Sequence, residues 1–165
     1  MPLEPVSGGL FINNEFVAAA SGKTLPVVNP ATGKEIAQVS EADAKDIDIA
    51  VKAARHAFNT VWGENVPGSK RGQLLMKLAD LIDEHRDEIA AIESLDNGKA
   101  LSIAKAIDIV GVADNMRYMA GWADKNQGKT IDTDPTKFAY TRHEPIGVCG
   151  QIIPWNFPAL VRSQL

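Results

Sequence analysis

From Pro145 to Val161 the chain carries no charged side chain, and the segment Ile146–Ile153 within that stretch is almost continuously apolar. As a helix, 17 residues barely cross a bilayer, and Gly147, Gly150, Pro154 and Pro158 would break it. The run reads instead as a strand buried on both faces, as in the parallel sheets of α/β proteins. Its neighbours in such a sheet must arrive through crossovers of a dozen or more residues, and only 12 residues follow Ile153. The expectation is a strand that opens a domain, in a sequence that is incomplete as an independent α/β fold.

The preceding residues divide into strands and then helices. Leu10–Ile12 and Glu15–Ala18 flank Asn13 and Asn14, residues that tolerate the left-handed backbone of a tight hairpin. Thr24–Val28 and Glu35–Val39 repeat this plan around the turn cluster Asn29, Pro30, Ala31, Thr32 and Gly33. Ser40 and Asp43 resemble a capping box ahead of a helix over Glu41–Asn59, with Ile47, Val51, Ala54 and Phe58 on one face. Ser69 is expected to cap a second helix whose buried stripe is Leu74, Leu75, Leu78, Leu81 and Ile82. A third helix begins at Asp87 and stops at Asn97–Gly98, and a fourth covers Ala100 to about Lys125. Phe138–His143 then reads as a strand before the apolar run.

Charge and cysteine usage narrow the classes of function. Lys and Arg number 17 against 21 Asp and Glu, a net charge of −4, so no basic field is available for a phosphate backbone. The single cysteine, Cys149, makes neither an internal disulfide nor a thiolate zinc site, and an unpaired thiol suits the cytoplasm. Met1–Leu10 shows no leader pattern. His56, His85 and His143 are far apart and read as surface or capping residues, and the charge cluster from Asp80 to Glu88 reads as a solvated helix face. Gly147–Gly150 is only G-x-x-G, short of a dinucleotide fingerprint. Cys149 sits within the apolar run with no histidine near it in sequence, which favours core packing over nucleophilic chemistry.

The most unusual segment is Ile152-Ile153-Pro154-Trp155-Asn156-Phe157-Pro158. It places an amide at the carboxyl end of a buried strand, where open α/β sheets bind ligands. Such an amide can donate to a developing oxyanion; capping of a following helix is an equally good reading of Asn156.

The run from Tyr140 to Pro158 resembles the NAD(P)-dependent aldehyde dehydrogenase superfamily at the start of its cofactor domain. Four further collinear blocks agree: Leu10–Phe16, Val28–Gly33, Leu95–Lys99 and Ala120–Lys125. The resemblance implies the N-terminal part of that fold, with β-hairpins, a helical segment and the first strand of an incomplete Rossmann-like sheet. Residues 1–144 would hold the N-terminal strands and helices, including part of the oligomerisation region, and 145–165 the truncated start of the cofactor-binding domain. It implies an aldehyde substrate, NAD or NADP as cofactor, and oxidation to a carboxylic acid through a cysteine thiohemiacetal. Asn156 would stabilise the oxyanion, while Ile152, Ile153, Pro154 and Trp155 would line the cofactor cleft. The nucleophilic cysteine, the general-base glutamate and the cofactor-domain glycine motif of the family lie beyond the matched region, and Cys149 matches a strand residue. The 165-residue chain is therefore expected to be inactive alone and to carry only part of a cofactor site. The alternative is a non-enzymatic short paralogue that associates with full-length aldehyde dehydrogenase subunits.

Overall fold

Two consecutive asparagines start the architecture. In the computed structural model, which describes residues 8–63 and 65–163, Asn13 and Asn14 take φ values of 54° and 68°. They turn β1 (Leu10–Ile12) back onto β2 (Glu15–Val17), with Phe11 opposite Phe16 and the rings 5.0 Å apart. A second antiparallel pair, β3 (Thr24–Asn29) and β4 (Lys34–Ser40), closes on the expected turn, where the Asn29 side chain accepts from the Ala31 N–H at 2.8 Å. A register shift between Val27 and Val28 bends that ribbon.

The first helix, α1 (Ala44–Ala57), starts later than Ser40 predicts because Ser40 is consumed by the β-ladder, paired with Thr24. Asp43 is the N-cap, and Asp43 and Asp46 complete a reciprocal capping box. The buried Asp46 also accepts from the Ala20 N–H at 2.9 Å, which ties the hairpin region to the helix. A π-helical turn, Phe58–Trp62, extends α1. The second helix, α2 (Gly68–Glu84), begins on Pro67, whose carbonyl accepts from Lys70 and Arg71, so Ser69 lies inside the helix and does not cap it. Then come α3 (Arg86–Asn97), the short α4 (Leu101–Ile103), a π-helical turn at Ala104–Asp108, and α5 (Ile109–Trp122).

Helices α2 and α5 pack through small residues. A Cβ on Gly72 would lie 2.8 Å from the Ala120 carbonyl oxygen, so the backbones approach too closely for larger side chains. That choice overturns part of the expected stripe: Gly72 and Ala79 are buried and Leu74, Leu78 and Leu81 stay exposed, whereas Leu75 is half-buried and Ile82 packs against the core. The centre of the molecule is correspondingly small, with Ala90, Ala104 and Ile109 buried and Ile82, Ile89 and Ala159 packed around them.

After α5 the chain forms β5 (Thr130–Ile131) paired with β6 (Ala139–Tyr140), so the expected Phe138–His143 strand is reduced to its centre. The segment 146–153 forms no ladder among the described residues, and Ile146 and Ile152 are 91% and 99% exposed. A central strand exists only where edges accept its backbone groups on both sides, and the described residues supply three separate two-stranded ribbons instead. Cys149 is accordingly exposed and not a core residue. A last short helix, α6 (Pro158–Arg162), returns to α5, where Asn115 donates to the Ser163 carbonyl. No described helix is long and apolar enough to cross a membrane.

Candidate functional site

The segment singled out by sequence lies against the end of α3. Helix α3 terminates on Gly98 at φ 79°, with the Gly98 N–H donating to the Ser94 carbonyl at 3.0 Å. The reversal sends Asn97 and Lys99 to the same place. The Asn97 carboxamide donates to the carbonyl oxygens of Trp155, at 2.7 Å, and Asn156, at 3.4 Å. The Lys99 ammonium donates to the Asn156 carbonyl at 3.2 Å and stands 4.0 Å from the centre of the Phe157 ring. The Ser94 hydroxyl holds the Lys99 carbonyl at 2.6 Å, fixing the base of that side chain.

Behind Lys99 are two buried carboxylates. Asp108, fully buried in the π-helical turn before α5, accepts from Lys99, as does Glu93 of α3 at 3.3 Å. The Asp108 Oδ1 and Glu93 Oε2 atoms are buried and meet no donor among the described residues. Burial, with the adjoining Asp108 carboxyl, pushes Glu93 above the usual carboxylate range despite the Lys99 charge. Burial depresses Lys99, but the hydrogen bonds that it donates to Asp108 and Glu93 outweigh this and carry the ammonium upward.

Asn156 is exposed, and its side-chain amide makes no hydrogen bond to a described residue, while its backbone is pinned. The first turn of α6 carries Pro158, and α6 has no side-chain cap, so Asn156 does not act as one. Of the other residues expected to line a cofactor cleft, Ile152, Pro154 and Trp155 are exposed and Ile153 is half-buried. They form an open apolar shelf; a Cβ on Gly150 would meet nothing within 4 Å. No described residue closes over this shelf as a phosphate cradle would, so the residues present do not by themselves enclose a dinucleotide. His56, His85 and His143 are exposed and separate. The acidic face of α2 is more organised than a solvated surface: Arg117 bridges Asp80 and Asp83 at 2.9 and 2.7 Å.

Glu93, Asn97, Lys99 and Asp108 were not legible as a site. Asn97 and Gly98 read as a helix stop, and Lys99 stands out in sequence only through the resemblance of its block to the family. One signal was present: Asp108 falls on the same helical row as Ala104 and Val112, an acid on an apolar face.

A family model described as the aldehyde dehydrogenase family matches residues 16–164. The chain belongs to the aldehyde dehydrogenase family. An aldehyde dehydrogenase of Alternaria alternata is 59% identical over 155 residues, covering 94% of this chain and 31% of that relative. The human mitochondrial aldehyde dehydrogenase is 55% identical over 156 residues, covering 93% of the chain and 30% of the relative. Among solved structures, an NAD+ complex of the Bacillus cereus aldehyde dehydrogenase superposes with a TM-score of 0.91 at 50% identity, over 97% of this chain and 32% of that one. The chain therefore spans about a third of the length of the aldehyde dehydrogenases it matches, and its α/β architecture is the corresponding part of their fold.

Proposed function

We propose that these residues supply the oxyanion-donating part of an aldehyde-oxidising site that uses NAD or NADP. The observation that supports it is the pairing of a pinned Asn156 backbone with an uncommitted Asn156 side-chain amide. An amide held in this way donates to the oxygen of an aldehyde carbonyl as negative charge develops there, without first breaking a protein hydrogen bond. The nicotinamide, when bound, supplies the hydride acceptor. Ile152, Ile153, Pro154 and Trp155 offer the apolar shelf beside it, but the rest of the cofactor enclosure must come from residues other than those described.

The 165-residue chain on its own does not oxidise aldehydes in this reading, because Cys149, its only thiol, lies on an exposed segment among residues that match a strand of the family. Purified free of longer homologues, it should produce no NADH from acetaldehyde and NAD; turnover that disappears on Asn156→Ala would overturn the inactivity. The exposed Ile146, Ile152 and Trp155 favour a second reading, association of the short chain with full-length aldehyde dehydrogenase subunits. Intact mass of the endogenous protein, captured through the 83–96 region, separates the two. A species near 17.8 kDa arriving with a larger homologue supports association. A single much heavier species supports an enzyme of which these residues are one part.

A further inference from the structure

We propose that Lys99 and Asn97 are positioning residues for Asn156, with the buried Glu93 and Asp108 carboxylates acting as the seat that aims the Lys99 ammonium. This rests on the oxyanion reading of Asn156 given above. An ammonium has three N–H donors and no acceptor. Lys99 has three oxygen acceptors around its Nζ, on Asp108, Glu93 and the Asn156 backbone, so each donor has a separate target. Two are fixed in the helical core, and the third is therefore aimed at the loop. Asn97 adds a second, uncharged grip on the Trp155 carbonyl at 2.7 Å, and the ammonium lies over the Phe157 ring, 4.0 Å from its centre.

The residues gripped are those that flank the Asn156 side chain in sequence. Fixing the carbonyls of Trp155 and Asn156 restricts the two peptide planes that set the direction of the Asn156 Cα–Cβ bond. The segment before them has no ladder to hold it, and α6 after them has only five residues. Nothing else among the described residues bonds to the backbone carbonyls of 155 and 156 across a comparable sequence distance. A merely structural ion pair would need Asp108 and Glu93 but not the Asn156 carbonyl.

The test uses the full chain labelled with nitrogen-15. In the parent, the backbone amides of Trp155, Asn156 and Phe157 should show order parameters near the rigid value of about 0.85, and in Lys99→Met or Asn97→Ala they should fall below about 0.6. The amides of Val112 and Ala113 should keep their order in both variants. Unchanged order at 155–157 in Asn97→Ala, or in a folded Lys99→Met, overturns the proposal; Asn97→Ala carries the test if Lys99→Met fails to fold. A chimera in which residues 8–163 replace the matching third of the Alternaria alternata aldehyde dehydrogenase distinguishes the two levels. There Asn156→Ala should lower kcat about 100- to 1,000-fold. Lys99→Met and Asn97→Ala should lower kcat about 10- to 100-fold, with KM for aldehyde within about twofold of the parent. Loss with Asn156→Ala alone overturns the positioning role and leaves the oxyanion reading standing. No loss with Asn156→Ala overturns the reading itself.

Discussion

Replacing Gly98 with Ala tests whether the helix stop beneath the site is shaped by both backbone and packing. Gly98 has φ 79°, and a side chain in that left-handed region costs roughly 1–2 kcal/mol. A Cβ there would also fall 2.6 Å from the Pro30 Cγ, well inside the ordinary carbon contact of about 3.5–4.0 Å. Pro30 is a ring in the β3–β4 turn and cannot rotate away, so relief requires a backbone shift, at an overpacking cost of about 1–3 kcal/mol. Gly33 supplies the control, because it has φ 66° but no atom within 4 Å of an added Cβ. Gly33→Ala should therefore lose only the backbone part, and Gly98→Ala should lose about 1–3 kcal/mol more. With a urea m-value of about 1–3 kcal/mol/M, the midpoints of the two variants should differ by around 1 M. Pro30→Ala in the Gly98→Ala background should recover the excess and not the backbone part, read as a coupling energy in a double-mutant cycle. Equal midpoints for the two glycine variants, or no coupling to Pro30, would refute the packing argument.

Among the described residues Ile109 is the largest apolar side chain that is fully buried, so Ile109→Ala should cost about 2–5 kcal/mol in urea unfolding; a cost below about 1 kcal/mol would mean the Ala90–Ala104–Ile109 centre is not the core. Stability should vary with pH in two opposite senses. Hydrogen bonds from Arg86 and Arg117 hold Asp83 below its ordinary 3.8, so its contribution is present above that value and is lost as pH falls through the folded value. Glu93 is raised above its ordinary 4.5, so the folded chain keeps a proton the unfolded chain releases, and stability declines as pH rises from there through the folded value. Asp83→Asn should flatten the acid limb and Glu93→Gln the decline above 4.5, both followed as urea midpoints against pH. Lys99, raised above 10.5, contributes below that value and loses its contribution as pH rises through the folded one, which alkaline unfolding of Lys99→Met should show by its absence.

The hairpins were readable because their information is local: Asn13-Asn14 and Asn29–Gly33 set their turns by their own backbone preferences. The helices were readable in existence but not at their starts, since Ser40 and Ser69 offered plausible caps that the ladder and Pro67 displaced. Burial was the least legible property. Periodicity assigns Leu74, Leu78 and Leu81 to a core, yet a face is buried only if something covers it, and α5 meets α2 over Gly72 and Ala79 instead. The same holds for Ile146–Ile153, whose composition asks for neighbours on both faces that the described residues do not provide. Asn156 stands out in its motif, whereas the residues that bond its backbone do not, because Asn97 and Lys99 are 59 and 57 residues away from it and no local rule joins them.

Positioning and environment are separable contributions to an oxyanion site, and in the proposed reading of Asn156 the described residues supply the first of them. In that reading Asn97 and Lys99 hold the Asn156 backbone from within the described residues, so the geometric part needs no residue beyond them. The electrostatic part does. An exposed amide exchanges a water hydrogen bond for one to the oxyanion and gains only about 0.5–1.5 kcal/mol. In a water-excluded site, loss of one such donor costs about 2.7–4 kcal/mol. Asn156 is exposed and Ile152 and Trp155 beside it are 99% and 83% open to solvent, so the shelf that should exclude water is itself wet. Covering that shelf would do two things at once: desolvate the donor and bury apolar side chains worth about 25 cal/mol per Å². The same contact that removes the exposed surface is therefore the one that would turn an oriented amide into an effective catalytic donor, which links the stability of any assembly at this face to the strength of the oxyanion interaction within it.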